Sequence, residues 1–260
     1  MASRIYLLRH AEREDHVNPR WAQTAFRAHD SPLSLNGRAQ AAEVGIALRE
    51  LVSDVSDIEV YSSPLIRCCE TTSVVLEHMG RCDLRVRVEN GLAEDELHLR
   101  HRMMGTRAGL GPEATIAPDG RRRGECSPVL LGAGDVQAHI RPALVDLEYT
   151  SACTVAYDGD GHELDGDGAP RALAERCADA AQAIVRSSAE GSTLLLVGHG
   201  GVWKEMINAF GGPCTVDRER PVAYVELAEL ERDDDGDAWR LVRTVVLPSL
   251  RGDSAATKLA

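Results

Sequence analysis

Four short stretches of the chain are apolar without helical spacing, and each reads as a strand. Residues 5–8 and 193–197 are continuous apolar runs, as expected of strands covered on both faces. Residues 58–61 and 84–88 are shorter, and in the second Arg85 and Arg87 alternate with Val86 and Val88. Between them the apolar period lengthens to that of a helix. Ala41, Val44, Ile46, Ala47, Leu48 and Leu51 mark a helix over residues 37–51. Pro64 suits the first turn of another over 65–79, and Leu173, Cys177, Ala180, Ala181 and Ile184 mark a third over 170–188. A fourth follows over 202–210. Residues 222–230 and 239–247 read as two strands of a hairpin around the acidic turn Asp233–Asp237. Strands alternating with helices predict a three-layer α/β/α sandwich with a mostly parallel mixed sheet.

The stretch from 90 to 169 is less regular, rich in Gly, Pro, Arg and Asp, with short helices expected near 94–104 and 135–147. Its length suits a lid inserted at about residues 95–169 of a single domain spanning 1–260. The acidic run from Asp158 to Gly168 lacks the ligand spacing and closing Glu of a calcium loop, so a solvated loop is expected.

Chemistry gathers where the strands stop. The first ends in Leu8-Arg9-His10-Ala11-Glu12-Arg13, and the fourth in Val197-Gly198-His199-Gly200-Gly201. The strand over 58–61 leads through Ser62-Ser63-Pro64 to Arg67 on the first turn of a helix. Ligands of open α/β sheets bind beyond the carboxyl ends of the strands, so these ends should deliver two histidines and at least two arginines to one place. Arg presents paired donors that match phosphoryl oxygens. A neutral imidazole is a competent nucleophile, and nearby cations disfavour imidazolium, so His10 should attack unprotonated. The arrangement suits phosphoryl transfer with no metal and no cofactor.

Charge narrows the partners. The chain has 29 Lys+Arg against 41 Asp+Glu, a net charge of −12. That excludes a general nucleic-acid or anionic-membrane surface and leaves room for a small cationic pocket. The only lysines are Lys204 and Lys258, so nearly every cation is an arginine. Residues 124–260 hold 12 of the cations and 23 of the anions, so an anionic substrate must be small enough to reach its pocket through a repelling field. The start of the chain lacks the apolar region of a signal peptide, and seven cysteines without a Cys-x-x-Cys fit reduced thiols. A cytoplasmic protein is expected.

The ordered blocks resemble the histidine phosphatase superfamily, the phosphoglycerate mutase-like fold. Residues 8–12 resemble its Arg-His-Gly-Glu signature, with Ala11 in place of Gly. Residues 32–41 resemble its Pro-Leu-Thr entry to the first helix, residues 61–72 its Ser-Ser-Pro block, and residues 196–201 its late His block. The resemblance implies that His10 is the nucleophile and that Arg9, Arg67 and His199 bind the phosphoryl oxygens. Arg13 matches a further phosphate-binding Arg in the branch of ecdysteroid-phosphate phosphatases and T-cell-signalling suppressor phosphatases. Val88-Glu89-Asn90-Gly91-Leu92-Ala93-Glu94 is similar to that branch's acid-bearing block, making Glu94 the implied general acid, with Asp95 and Glu96 as rivals.

The implied activity is hydrolysis of phosphate monoesters through phosphohistidine, on a small phosphorylated substrate or a phosphopeptide. A phosphoglycerate mutase-type phosphotransferase and a non-catalytic phospholigand-binding module are the alternatives. Against a mutase, Arg13 stands where mutases of this family carry Ser. The leaving group is left open, as is the assembly, a homodimer included. Cys68 and Cys69 beside Arg67 are expected to be buried helix residues rather than reactive thiols.

Overall fold

The computed structural model of the chain describes residues 1–21, 25, 27, 29–52, 57–94, 130–157, 163–165, 167–211, 219–233 and 238–246. In chain order its elements are β1 (Arg4–Arg9), α1 (Glu14–Val17), α2 (Leu35–Leu51), β2 (Ile58–Ser62), α3 (Ile66–Met79), β3 (Arg85–Val88) and a single 3-10 turn at Asn90–Leu92. There follow α4 (Ala133–His139), β4 (Leu144–Val145), β5 (Ala156–Tyr157), β6 (Glu163–Leu164), α5 (Leu173–Ser187), β7 (Thr193–Gly198), α6 (Gly200–Ala209), β8 (Leu227–Arg232) and β9 (Trp239–Val245). None of the described helices is long and apolar enough to cross a membrane.

Seven strands form one sheet in the order β4-β3-β2-β7-β1-β8-β9, and β5 pairs with β6 apart from it. The five strands from β4 to β1 are mutually parallel, and β8 and β9 close one side antiparallel. Alternation along the central strands creates two separate cores. Tyr6 and Leu8 of β1, with Leu195 and Val197 of β7, face α2, α3 and α4. Ile5 and Leu7, with Leu194 and Leu196, face α5 and α6. This is the expected three-layer arrangement, and the period of two is its cause.

Two expected elements are corrected. The helix expected over 135–147 stops at His139, because Pro142 cannot continue it, and Leu144–Val145 becomes an edge strand instead. The strand expected from 222 begins only at Leu227. Residues 222–226 turn instead, with Val225 at φ 48°, a left-handed conformation that a β-branched residue rarely takes. The expected helices near 94–104 and most of the expected lid, 95–129, lie outside the described residues. So does 158–162 of the acidic run, although Asp165 accepts backbone N–H bonds from Asp167 and Ala169 and so closes a turn.

The segment after β1 is locked by the start of α2. Ser34 caps that helix by accepting from the Gly37 N–H at 2.9 Å, and its own hydroxyl donates to the Glu12 carboxylate at 2.6 Å. The Ser34 N–H donates to the Glu12 carbonyl at 3.0 Å. The fit is so close that a Cβ on Gly37 would lie 2.1 Å from the Glu12 carbonyl oxygen. Ala11 is fully buried in the core under α2 and α3, so the methyl that departs from the family signature fills packing space. Gly37→Ala should therefore cost about 1–3 kcal/mol of stability and displace the segment carrying His10. Denaturant unfolding with an assay of the same variant checks this, and an unchanged midpoint would contradict the close approach.

Candidate active site

Register alone brings the site residues together. Arg9 of β1 lies opposite Gly198 of β7, so His10 and His199 leave the sheet side by side. Their ring centroids are 5.2 Å apart. On the other flank of β7, Ser62 lies opposite Val197, which puts Ser63 level with the same edge. Val88 of β3 lies opposite Ser62, and the Glu89 N–H donates to the Ser62 carbonyl at 2.9 Å, so the turn after Glu89 starts at this edge too.

His10 is buried, and its Nδ1 lies 2.8 Å from the Ala11 carbonyl, an acceptor that places the ring proton on Nδ1 and leaves Nε2 unprotonated. His199 is also buried, with Nε2 2.9 Å from the Ser63 hydroxyl and Nδ1 3.4 Å from a Glu94 oxygen. Arg67 comes from the first turn of α3, whose first N–H, that of Ile66, donates to the buried Asp30 carboxylate at 2.7 Å. Its guanidinium is fully buried and donates to the same Glu94 oxygen at 3.1 Å. Arg13 forms a paired contact with Asp15, at 2.9 and 2.8 Å, and also touches His16. Arg9 bonds the Val222 carbonyl and lies with its guanidinium carbon 4.5 Å from the centre of the Tyr224 ring.

The structure thus gathers His10, His199, Arg9, Arg67 and Glu94 at one end of the sheet, with Arg13 close enough to act on both histidines. Asp95 and Glu96 lie outside the described residues. Arg9 Nε and Arg67 Nε are buried with no hydrogen-bond partner among the described residues. Donors of that kind are costly unless something accepts from them, and a tetrahedral oxyanion supplies several acceptors.

Burial and charge act on the histidines in one direction. Desolvation first, then Arg67 and Arg9, hold His10 well below its ordinary value of 6.5. His199 is held down by burial first, then by Arg67 and Arg176. The result is two neutral imidazoles among cations. His10, Glu94 and His199 could also converge on a cation, each offering one ligand atom within 4.8 Å of the others. The surrounding Arg9, Arg13 and Arg67 disfavour that use and favour an anion. Cys68 lies 3.4 Å from His199 Nε2, but burial raises its thiol to about 12, which makes it a packing residue.

Sequence reasoning missed Tyr224 and His16. The Tyr224 ring centre is 5.7 Å from that of His10, and its hydroxyl meets His16 Nδ1. Tyr224 sits in the stretch read as strand, and only the departure of that stretch from strand geometry reveals it as a wall of the site.

The pKa shifts fix a sign for stability. An unfolded His binds its proton near 6.5, whereas the buried His10 and His199 bind it well below that and His16, beside Arg13, at about 4. Below 6.5 the unfolded chain takes up protons that the folded one refuses, so stability must fall as pH drops through that window. Urea midpoints at pH 7 and at about pH 5 should show the fall, and His199→Gln should make it shallower. Equal pH slopes for wild type and variant would contradict the burial of a neutral His199.

Three comparisons with known proteins bear on this geometry. Residues 5–109 match the model of the histidine phosphatase superfamily, branch 1. No curated protein matches the chain. Among solved structures, the ecdysone phosphate phosphatase of Bombix mori in complex with tungstate is similar at 19% identity, covering 93% of this chain and 92% of its own, with a TM-score of 0.62. A phosphoglycerate mutase from Bacillus anthracis str. Sterne is similar at 20% identity, covering 94% and 92%, with a TM-score of 0.54. At these identities the two structures speak for the fold. Residues 5–109 are thus similar to the histidine phosphatase superfamily, and the phosphoglycerate mutase-like fold extends over nearly the whole length of the chain.

Proposed function

We propose that the protein is a metal-independent phosphatase that hydrolyses phosphate monoesters through a phosphohistidine on His10. The observation that carries this reading is the unprotonated Nε2 of His10, held by the Nδ1 contact with Ala11, among Arg9, Arg13 and Arg67. A phosphoryl group entering there meets donors with geometry suited to its oxygens. His10 Nε2 attacks phosphorus, an N–P bond forms, and the bond from phosphorus to the ester oxygen breaks. Arg9, Arg67 and His199 stabilise the charge on the non-bridging oxygens. Glu94 gives its proton to the departing oxygen, so the product leaves as an alcohol. In the second step the Glu94 carboxylate takes a proton from water, the hydroxide adds to phosphorus, and the N–P bond breaks. His10 returns neutral and inorganic phosphate departs.

The cationic groups assembled here are enough for one phosphoryl group, which favours hydrolysis over a mutase that must retain a doubly phosphorylated intermediate. The substrate is read as a small phosphate ester or a phosphopeptide, with no cofactor, and the compartment as the cytoplasm.

His10→Ala should lower turnover of p-nitrophenyl phosphate by at least about a thousandfold. Turnover at the wild-type rate in that variant would overturn the reading. Isomerisation of 3-phosphoglycerate, assayed with and without 2,3-bisphosphoglycerate, should stay below hydrolysis. Faster isomerisation would make the protein a mutase. Turnover should also survive exhaustive treatment with EDTA, whereas a loss restored by a divalent cation would contradict metal independence.

A further inference from the structure

Arg176 lies on α5, the layer opposite α3, and has no place in the phosphate-binding set. It is nevertheless fully buried, as is its partner Glu163, whose oxygen is 2.7 Å from Arg176 Nε. Its remaining donors turn to one short stretch of backbone. Nη1 reaches the carbonyls of Gly91 and Ala93, each at 2.9 Å, and that of Asn90 at 3.4 Å. Nη2 reaches the carbonyl of Glu94 itself at 3.3 Å. The same stretch is held from its other side by the buried Glu89 carboxylate. That group accepts from the Gly91 N–H at 2.8 Å, from Ala152 N–H at 2.8 Å and from the Tyr149 hydroxyl at 2.6 Å. Tight packing completes the clamp, since a Cβ on Gly91 would lie 2.4 Å from the Ala180 methyl on α5.

A buried guanidinium is costly, and it persists only where an opposing charge and several acceptors meet it. Here the charge comes from Glu163, and four carbonyl acceptors come from the segment Asn90–Glu94. We propose that Arg176, neutralised by Glu163, is the positioning residue for Glu94, fixing the carboxyl at the leaving-group oxygen. This inference rests on Glu94 being the general acid. Proton transfer demands hydrogen-bond reach, and a displacement of about 1 Å can cost on the order of a hundredfold. Lysine cannot replace the fork, because an ammonium has a different donor geometry and cannot span four carbonyls and a carboxylate.

A residue that merely stabilised the fold would depress all substrates alike. One that positions the acid affects them unequally. Phenyl phosphate has a poor leaving group that needs the proton, whereas p-nitrophenyl phosphate has a good one that hardly does. The measurement is kcat/KM, which reports the steps through phosphorylation, for both esters in wild type, Glu94→Gln, Arg176→Lys and Glu163→Gln. Glu94→Gln should lose about a hundredfold more on phenyl than on p-nitrophenyl phosphate. Arg176→Lys and Glu163→Gln should each show at least about a tenfold selective loss, and adding Arg176→Lys to Glu94→Gln should add no further selectivity. Glu163→Gln keeps the side-chain volume and carries the test if Arg176→Lys fails to fold. Equal losses on the two esters in the Arg176 and Glu163 variants, beside a selective loss in Glu94→Gln, would overturn the positioning role alone. Equal losses in Glu94→Gln would overturn the acid assignment and the inference with it.

Discussion

The site depends on like charges held close together and largely out of water. Arg9, Arg13 and Arg67 surround two histidines that burial and those same cations keep neutral. Leaving such charges uncompensated is expensive, so each is tied down by a specific contact. Arg13 has Asp15, Arg67 has Glu94, and Arg9 has the Val222 carbonyl and the face of Tyr224. Those contacts leave donors unspent, notably Arg9 Nε and Arg67 Nε. Such donors call for acceptors, which the oxygens of a phosphoryl group supply and a metal ion does not.

The parallel sheet is the means of holding that arrangement. Strands β1, β7, β2 and β3 are in register, so their carboxyl ends release His10, His199, Ser63 and Glu89 at one level. Precision then comes from the segments that follow. Gly37 lets α2 approach the Glu12 backbone, and Asp30 accepts from the first turn of the helix bearing Arg67. Glu89 and Arg176 grip opposite sides of the turn that leads to Glu94. The same organisation recurs at both flanks, with a short turn after a strand fixed by a buried side chain from a neighbouring layer.

Much of this was readable from the chain. The central strands are apolar runs, Arg9 ends β1, His10 and His199 follow β1 and β7, and Arg67 sits on the first turn of the helix after β2, so periodicity and topology were enough to bring them together. Tyr224 was not readable, because its neighbours Val222 and Val225 have strand-like composition and only tertiary contacts force them into a turn. Arg176 was readable in part. It occupies the apolar stripe of α5 between Leu173 and Ala180, and a charge on a core-facing stripe signals a buried partner. What the sequence could not supply was the identity of that partner, since Glu163 sits in the irregular stretch before α5 and the carbonyls of the Asn90–Leu92 turn lie far away in the chain. The helix expected over 135–147 ends early, at His139, for a local reason, the proline at 142, which outweighs the apolar spacing around it.

The central claim is that the Nε2 of His10 becomes covalently bonded to phosphorus. Rapid quenching into alkali of the enzyme mixed with a radiolabelled aryl phosphate, followed by peptide mapping, tests it most directly. The account predicts label on the peptide containing His10, stable in alkali and lost in acid, and absent from His10→Ala. Hydrolysis at full rate with no label on that peptide at any quench time would contradict it.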